Sequence, residues 1–141
     1  MKGFIRLTPI IASVIILLCA TTTRHNVKPM YTTDIAITAN GEMIITNKGT
    51  NDVLALSTDG SITQRWEFNE APTGVAISGT TAFVTSSQEE GYISAINLEN
   101  NNITYKTPTG MGACSPILSA DGTKVYVLTR YKATVSEVDA A

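Results

Sequence analysis

An all-β fold built from about three copies of one four-stranded antiparallel unit is predicted by three observations. Short apolar segments recur at a nearly constant offset. Ile37, Ile77 and Leu118 stand 40 and 41 residues apart, Val53, Ile93 and Val135 stand 40 and 42 apart, and Ile62 and Ile103 stand 41 apart. Between these segments lie turn pairs such as Asn40-Gly41, Asp59-Gly60 and Asp121-Gly122, the composition of tight hairpins. No stretch after residue 20 sustains a helical period. Self-similarity at such a spacing marks a repeat architecture, which decides the fold before any single segment does.

The repeats are expected at about 31–69, 70–107 and 108–141. In the first, strands are predicted over Asp34–Thr38, Glu42–Thr46, Val53–Ser57 and Ile62–Phe68. The last of these alternates, with Ile62, Gln64, Trp66 and Phe68 assigned to one face, as in a half-exposed outer strand. Trp66 is expected to pack there. The second repeat has the same order: Gly74–Ser78, Thr81–Thr85, Tyr92–Leu98 and Asn102–Lys106. The third opens with a glycine-rich connection, Pro108–Gly112, followed by strands at Ser115–Ser119, Thr123–Thr129 and Thr134–Asp139. No segment is left in it for a fourth strand. The inner strands are apolar on both faces, as a sheet requires when other sheets cover both its sides. Four-stranded meanders packed face to face about an axis are the blades of a β-propeller.

On these residues the chain resembles the YVTN-type β-propeller repeat. The second repeat carries the family's entry as Pro72-Thr73-Gly74-Val75-Ala76-Ile77-Ser78. The third carries Asp121-Gly122-Thr123-Lys124-Val125-Tyr126-Val127-Leu128-Thr129, then Val135-Ser136-Glu137-Val138-Asp139. Leu128-Thr129 departs from the family's Thr-Asn, and the first repeat lacks the Pro and Gly of the entry. The resemblance implies the fold and is silent on chemistry, because its motif residues form turns and core.

Met1–Ala20 stands apart. Lys2 and Arg6 give it a positive start, and Ile10–Ala20 is apolar but for Ser13. Eleven residues suit the core of a signal peptide and fall short of the roughly 20 needed to span a bilayer. Export to the periplasm or outer envelope is therefore expected. Two readings stay open for Cys19: lipid attachment, as in bacterial lipoproteins, or loss with a peptide cleaved near Ala20. Position favours the first, and the bulk of Leu18 before the cysteine argues against it. Residues 21–30 read as a linker. It holds His25, the only histidine, read as a solvated surface residue. A Cys19–Cys114 disulfide is not expected, and the membrane is expected to be met only through the leader or a lipid.

Composition closes several function classes. A net charge of -2 leaves no electrostatic footprint for nucleic acid. Two distant cysteines define neither a metal site nor a C-x-x-C-H haem attachment. The carboxylates Glu89 and Glu90 are neighbours in one loop, a poor geometry for acid–base work. No catalytic, metal-binding or cofactor-binding residues are assigned, and no cofactor is expected. The meander places the loops between second and third strands at the same end as the connections between blades. That face collects Lys48, Glu89, Glu90, Arg130 and Tyr131, the groups with most to offer a ligand.

Two functions follow. The first is an exported, non-enzymatic binding or scaffold module whose loop face meets a protein or an envelope glycan. The second is the propeller portion of an exported oxidoreductase, with a c-type cytochrome or quinoprotein module encoded downstream. A weaker resemblance, to cytosolic sugar-lactonase propellers, is opposed by the leader and by blades without histidine. Three blades would leave two outer faces bare, so further blades or self-association are expected.

Overall fold

The computed structural model describes residues 31–87 and 90–140. The leader, Cys19, His25 and the loop carboxylate Glu89 lie outside the described residues. Eleven strands make up the described fold: β1 (Thr32–Ile37), β2 (Met43–Asn47), β3 (Asp52–Leu56), β4 (Ile62–Glu67), β5 (Pro72–Ser78), β6 (Thr81–Ser86), β7 (Tyr92–Asn97), β8 (Ile103–Pro108), β9 (Ala113–Leu118), β10 (Lys124–Thr129) and β11 (Thr134–Asp139). They form three antiparallel meanders, β1-β2-β3-β4, β5-β6-β7-β8 and β9-β10-β11. Each is a blade, and the three repeats of the sequence are the three blades.

The expected strands are all present, with three local corrections. β1, β5 and β9 each begin two residues earlier than the apolar pattern suggested, and β8 runs on to Pro108. The Asn40-Gly41 pair is not a two-residue hairpin. Thr38 N–H bonds Glu42 O at 2.9 Å and Gly41 N–H bonds Thr38 O at 2.9 Å, so the loop has three residues, with Gly41 in the left-handed region at φ 83°. The third correction concerns Ile62. A register shift in the β3–β4 pairing sets Gln64 opposite Ala55 but Ile62 opposite Leu56. A one-residue slip turns a side chain to the other face, and Ile62 consequently leaves the face of Trp66 and is 48% exposed.

Two apolar layers hold the blades together. Ile44, Val53, Ala55 and Trp66 of the first blade pack on Val75, Ala82, Val84 and Ile96 of the second. Phe83, Ile93 and Ala95, on the second blade's other face, pack on Ala113, Val125 and Val127 of the third. The middle blade is therefore covered on both sides, which is why Phe83 and Val84, adjacent in β6 and pointing opposite ways, are both buried. Burying a side chain of the size of Phe83 is worth about 1.5–3 kcal/mol.

Polar bonds repeat between blades. The Thr33 hydroxyl donates to Pro72 O at 3.1 Å and shares a 2.9 Å bond with the Thr46 hydroxyl. One blade on, the Thr73 hydroxyl donates to Ala113 O at 2.6 Å and shares a 3.1 Å bond with the Thr85 hydroxyl. Asp34 adds a carboxylate that accepts Val75 N–H at 3.0 Å.

The outer faces of the first and third blades are bare among the described residues. Ile35 and Ile37 are 52% and 66% exposed on one, and Ile117, Leu128 and Val135 are 61%, 44% and 60% exposed on the other.

Candidate functional site

The innermost strands β1, β5 and β9 run side by side, and their starts open at the end of the molecule that carries the β2–β3, β6–β7 and β10–β11 loops. One backbone bond recurs at each of these starts. Lys48 N–H bonds Tyr31 O at 2.8 Å, Ser87 N–H bonds Ala71 O at 3.2 Å and Arg130 N–H bonds Gly112 O at 3.3 Å. Lys48, Ser87 and Arg130 thus hold equivalent places in the three blades, each the first residue after the second strand. The bond ties each of them to the residue just ahead of an innermost strand.

These three residues border one cavity of about 320 Å3. Its floor comes from the strand starts, with Thr32, Thr33, Thr73, Ala113 and Cys114, and its rim adds Tyr31, Gly112 and Tyr131. The lining is mostly polar and holds two cations, Lys48 and Arg130, and no carboxylate among the described residues. Tyr131 lies close to the backbone: a Cβ on Gly112 would lie 2.7 Å from Tyr131 Cδ2, so any other residue there would force a shift. The glycine leaves room for the ring beside the chain, with 76% of Tyr131 still open to solvent.

Of the loop residues singled out from the sequence, Lys48, Arg130 and Tyr131 come together at this cavity. Glu90 does not join them. Its carboxylate accepts the hydroxyl of Tyr92, a bond that holds the Tyr92 phenol above its ordinary pKa. The cavity residues that sequence reasoning missed precede the predicted strand starts: Tyr31 and Thr32, Ala113 and Cys114, and the repeat threonines Thr33 and Thr73. The signal for the threonines was present: they stand 40 residues apart, in step with the repeat.

A second polar cluster, between the outer parts of the first two blades, is satisfied from within. Lys106 pairs with Glu70 at 2.7 Å and lies 3.8 Å over the Tyr92 ring, while Glu70 also accepts the Ser86 hydroxyl at 3.0 Å. Cys114 is a free, buried cysteine. No group of three His, Cys, Asp or Glu residues able to hold a metal occurs among the described residues.

No family model matches the chain, and no curated protein matches it. Solved structures do. The chain is similar to hydrazine synthase of Kuenenia stuttgartiensis, with a TM-score of 0.72 at 15% identity, over 84% of this chain and 35% of that one. It is similar to a catalytically inactive variant of virginiamycin B lyase from Staphylococcus aureus, determined with quinupristin. The TM-score there is 0.61 at 17% identity, over 82% of this chain and 43% of that one. A protein of unknown function from Bacteroides caccae matches with a TM-score of 0.63 at 14% identity, over 75% of this chain and 44% of that one. At such identities the likeness concerns the fold alone, and the fold is that of an incomplete β-propeller. The chain spans less than half the length of each of these three structures.

Proposed function

We propose that this chain is an exported, non-enzymatic β-propeller module that binds an envelope partner at its loop face. One observation carries the reading: the repeated backbone bond that brings Lys48, Ser87 and Arg130 to the mouth of one polar cavity. Pockets with a few convergent polar groups are the usual binding sites of rigid scaffolds, and here the scaffold is a set of packed sheets. The apolar run before Cys19 supports export, and Cys19 is the residue that would carry a lipid.

Two measurements test the proposal. Mass spectrometry of the protein from its native cells should find the amino terminus removed or acylated, with labelled fatty acid retained by the wild type and lost in Cys19→Ala. An intact Met1 in a soluble cytosolic fraction refutes export. Cosedimentation of the full chain with purified envelope polysaccharide should fall in Lys48→Gln/Arg130→Gln and persist in Glu99→Gln, a change in a turn at the other end of the blades. Equal loss in both variants refutes the loop face as the site.

A second reading has one observation in its favour. The hydrazine synthase match sets blades like these within a chain of a protein named as an enzyme, over 35% of that chain. By that reading these blades are the propeller portion of an exported oxidoreductase, with the reacting group on another module. A C-x-x-C-H motif in the coding sequence beyond Ala141 would decide for it.

A further inference from the structure

The geometry points to a ligand class for the loop-face cavity: we infer that it takes a saccharide bearing an anionic substituent. The inference rests on the loop-face reading above and deepens it.

Charge comes first. The chain is net acidic, at -2, yet two of the three equivalent rim positions are cationic, and no carboxylate lines the cavity among the described residues. Three acids outside the lining have partners of their own: Asp34 accepts Val75 N–H at 3.0 Å, Glu70 pairs with Lys106 at 2.7 Å, and Glu90 accepts the Tyr92 hydroxyl. The ion pairs of the described residues leave Lys48 and Arg130 out. Two like charges facing one concavity repel each other until an anion enters between them, so a neutral ligand would leave that repulsion in place. Arg130 can meet a carboxylate with two parallel N–H bonds, and Lys48 adds a point charge that reaches on a flexible stem.

The remaining lining suits a sugar. Thr32 and Ser87 offer hydroxyls at the floor and rim, groups that can exchange hydrogen bonds with sugar hydroxyls, while those of Thr33 and Thr73 stay in the bonds between blades. Tyr131 offers an aromatic ring beside Gly112 that is largely open to solvent. The C–H face of a pyranose ring stacks on such a ring, and a tyrosine has only two side-chain torsions to order in doing so. Arg130 and Tyr131 line the same cavity, so a sugar stacked on the ring can present its acidic group to the guanidinium. A simple inorganic anion would use the cations and leave the ring idle.

The test is isothermal titration of the full chain with an oligogalacturonate, the matching neutral galacto-oligosaccharide, inorganic phosphate and oligoglutamate. The acidic sugar should bind roughly tenfold or more tighter than the neutral one, a difference of about 1.4 kcal/mol. Its affinity should weaken as salt is raised, because exposed charges are screened. Arg130→Gln and Lys48→Gln should each abolish most of the preference for the acidic sugar, and Tyr131→Ala should weaken both sugars alike. All three residues are exposed, so the circular dichroism of the variants should match the wild type. Equal binding of acidic and neutral sugars overturns the charge inference and leaves the loop-face reading standing. Displacement by phosphate or oligoglutamate at equal concentration overturns the sugar and leaves a plain anion or acidic-peptide site. Sugar binding untouched by any of the three substitutions overturns the placement, and with it the reading on which the inference rests.

Discussion

Trp66 reaches from the outer strand of the first blade into the second, where its indole N–H donates to Asn101 O at 3.0 Å. The ring is 5% exposed and packs on the apolar layer between the two blades. Trp66→Ala should therefore cost about 3–5 kcal/mol in urea unfolding, whereas Trp66→Phe, which keeps most of the ring, should cost less. Near-equal losses would mean that the hydrogen bond outweighs the packing.

Asp52 is a buried acid whose two carboxylate oxygens accept three bonds. Arg65 Nη1 reaches it at 2.6 Å, the Asn47 amide at 3.0 Å and the Thr50 hydroxyl at 2.8 Å. Asp52→Ala leaves the buried Asn47 amide without its carboxylate acceptor and should cost about 1.5–3 kcal/mol. Arg65→Gln should cost no more than about 1 kcal/mol, since its side chain is 48% exposed and water replaces the ion pair. Guanidinium melts of the two variants should separate them clearly, and equal losses would refute the asymmetry.

Each loop between second and third strands ends on a left-handed residue: Asn51 at φ 54°, Gly91 at φ 63° and Ala133 at φ 50°. Asparagine and glycine adopt that conformation readily, and alanine does so at a cost of roughly 1–2 kcal/mol. Ala133→Gly should raise the melting temperature, or at least not lower it, despite the greater freedom of glycine in the unfolded chain. A fall of several degrees would show that Ala133 is not strained.

Asp59 and Asp121 sit in matching turns and should titrate near pH 2. Asp59 is held there first by the Ser57 hydroxyl, at 2.5 Å, and then by Ser61, while Asp121 is held first by Ser119, at 2.6 Å, and then by Thr123. Hydrogen bonds to the ionised form lower a pKa, so the contribution to stability is complete above the unfolded value near 3.8 and fades as pH falls through about 2. Carboxyl NMR titration should show Ser57→Ala raising the pKa of Asp59 and leaving Asp121 unchanged. A value near 3.8 for wild-type Asp59 would contradict these bonds.

The two bare blade faces should make the full chain bind hydrophobic dye and self-associate. Apolar patches beyond a few hundred Å2 are uncommon on monomers. Ile117→Thr with Leu128→Thr should reduce dye fluorescence and narrow the sedimentation profile. Wild-type protein that sediments as a single monomer without binding dye would overturn the expectation.

How legible all this was depended on whether the cause was local. Period-two alternation and turn residues are local, so the strands and their grouping into blades could be read directly. Lys48, Arg130 and Tyr131 were placed on one face because a meander fixes which loops share an end. The displacement of Ile62 was not readable, because a bulge is decided by pairing with β3 across the turn. Nor was the left-handed Ala133, a residue type that gives no warning of its backbone. Thr33 and Thr73 looked like loop because their partners are carbonyls about 40 residues away.

Those threonine bonds also give the stack a direction. Each runs from one blade to its successor, never in reverse, so the contact is head-to-tail and its two sides are different surfaces. Head-to-tail contacts close into a ring only when their rotation divides a full circle, and otherwise they wind into a spiral. Blade number is then a matter of wedge angle, set by side-chain bulk in the layers holding Trp66 and Phe83. The hydroxyl that makes the bond in Thr33 and Thr73 has its third-repeat counterpart at Cys114, which pairs with Leu128 in place of a threonine. A surface without that hydroxyl must be recognised by its shape and oiliness, so whatever docks on the third blade is chosen by other rules than those joining the first two.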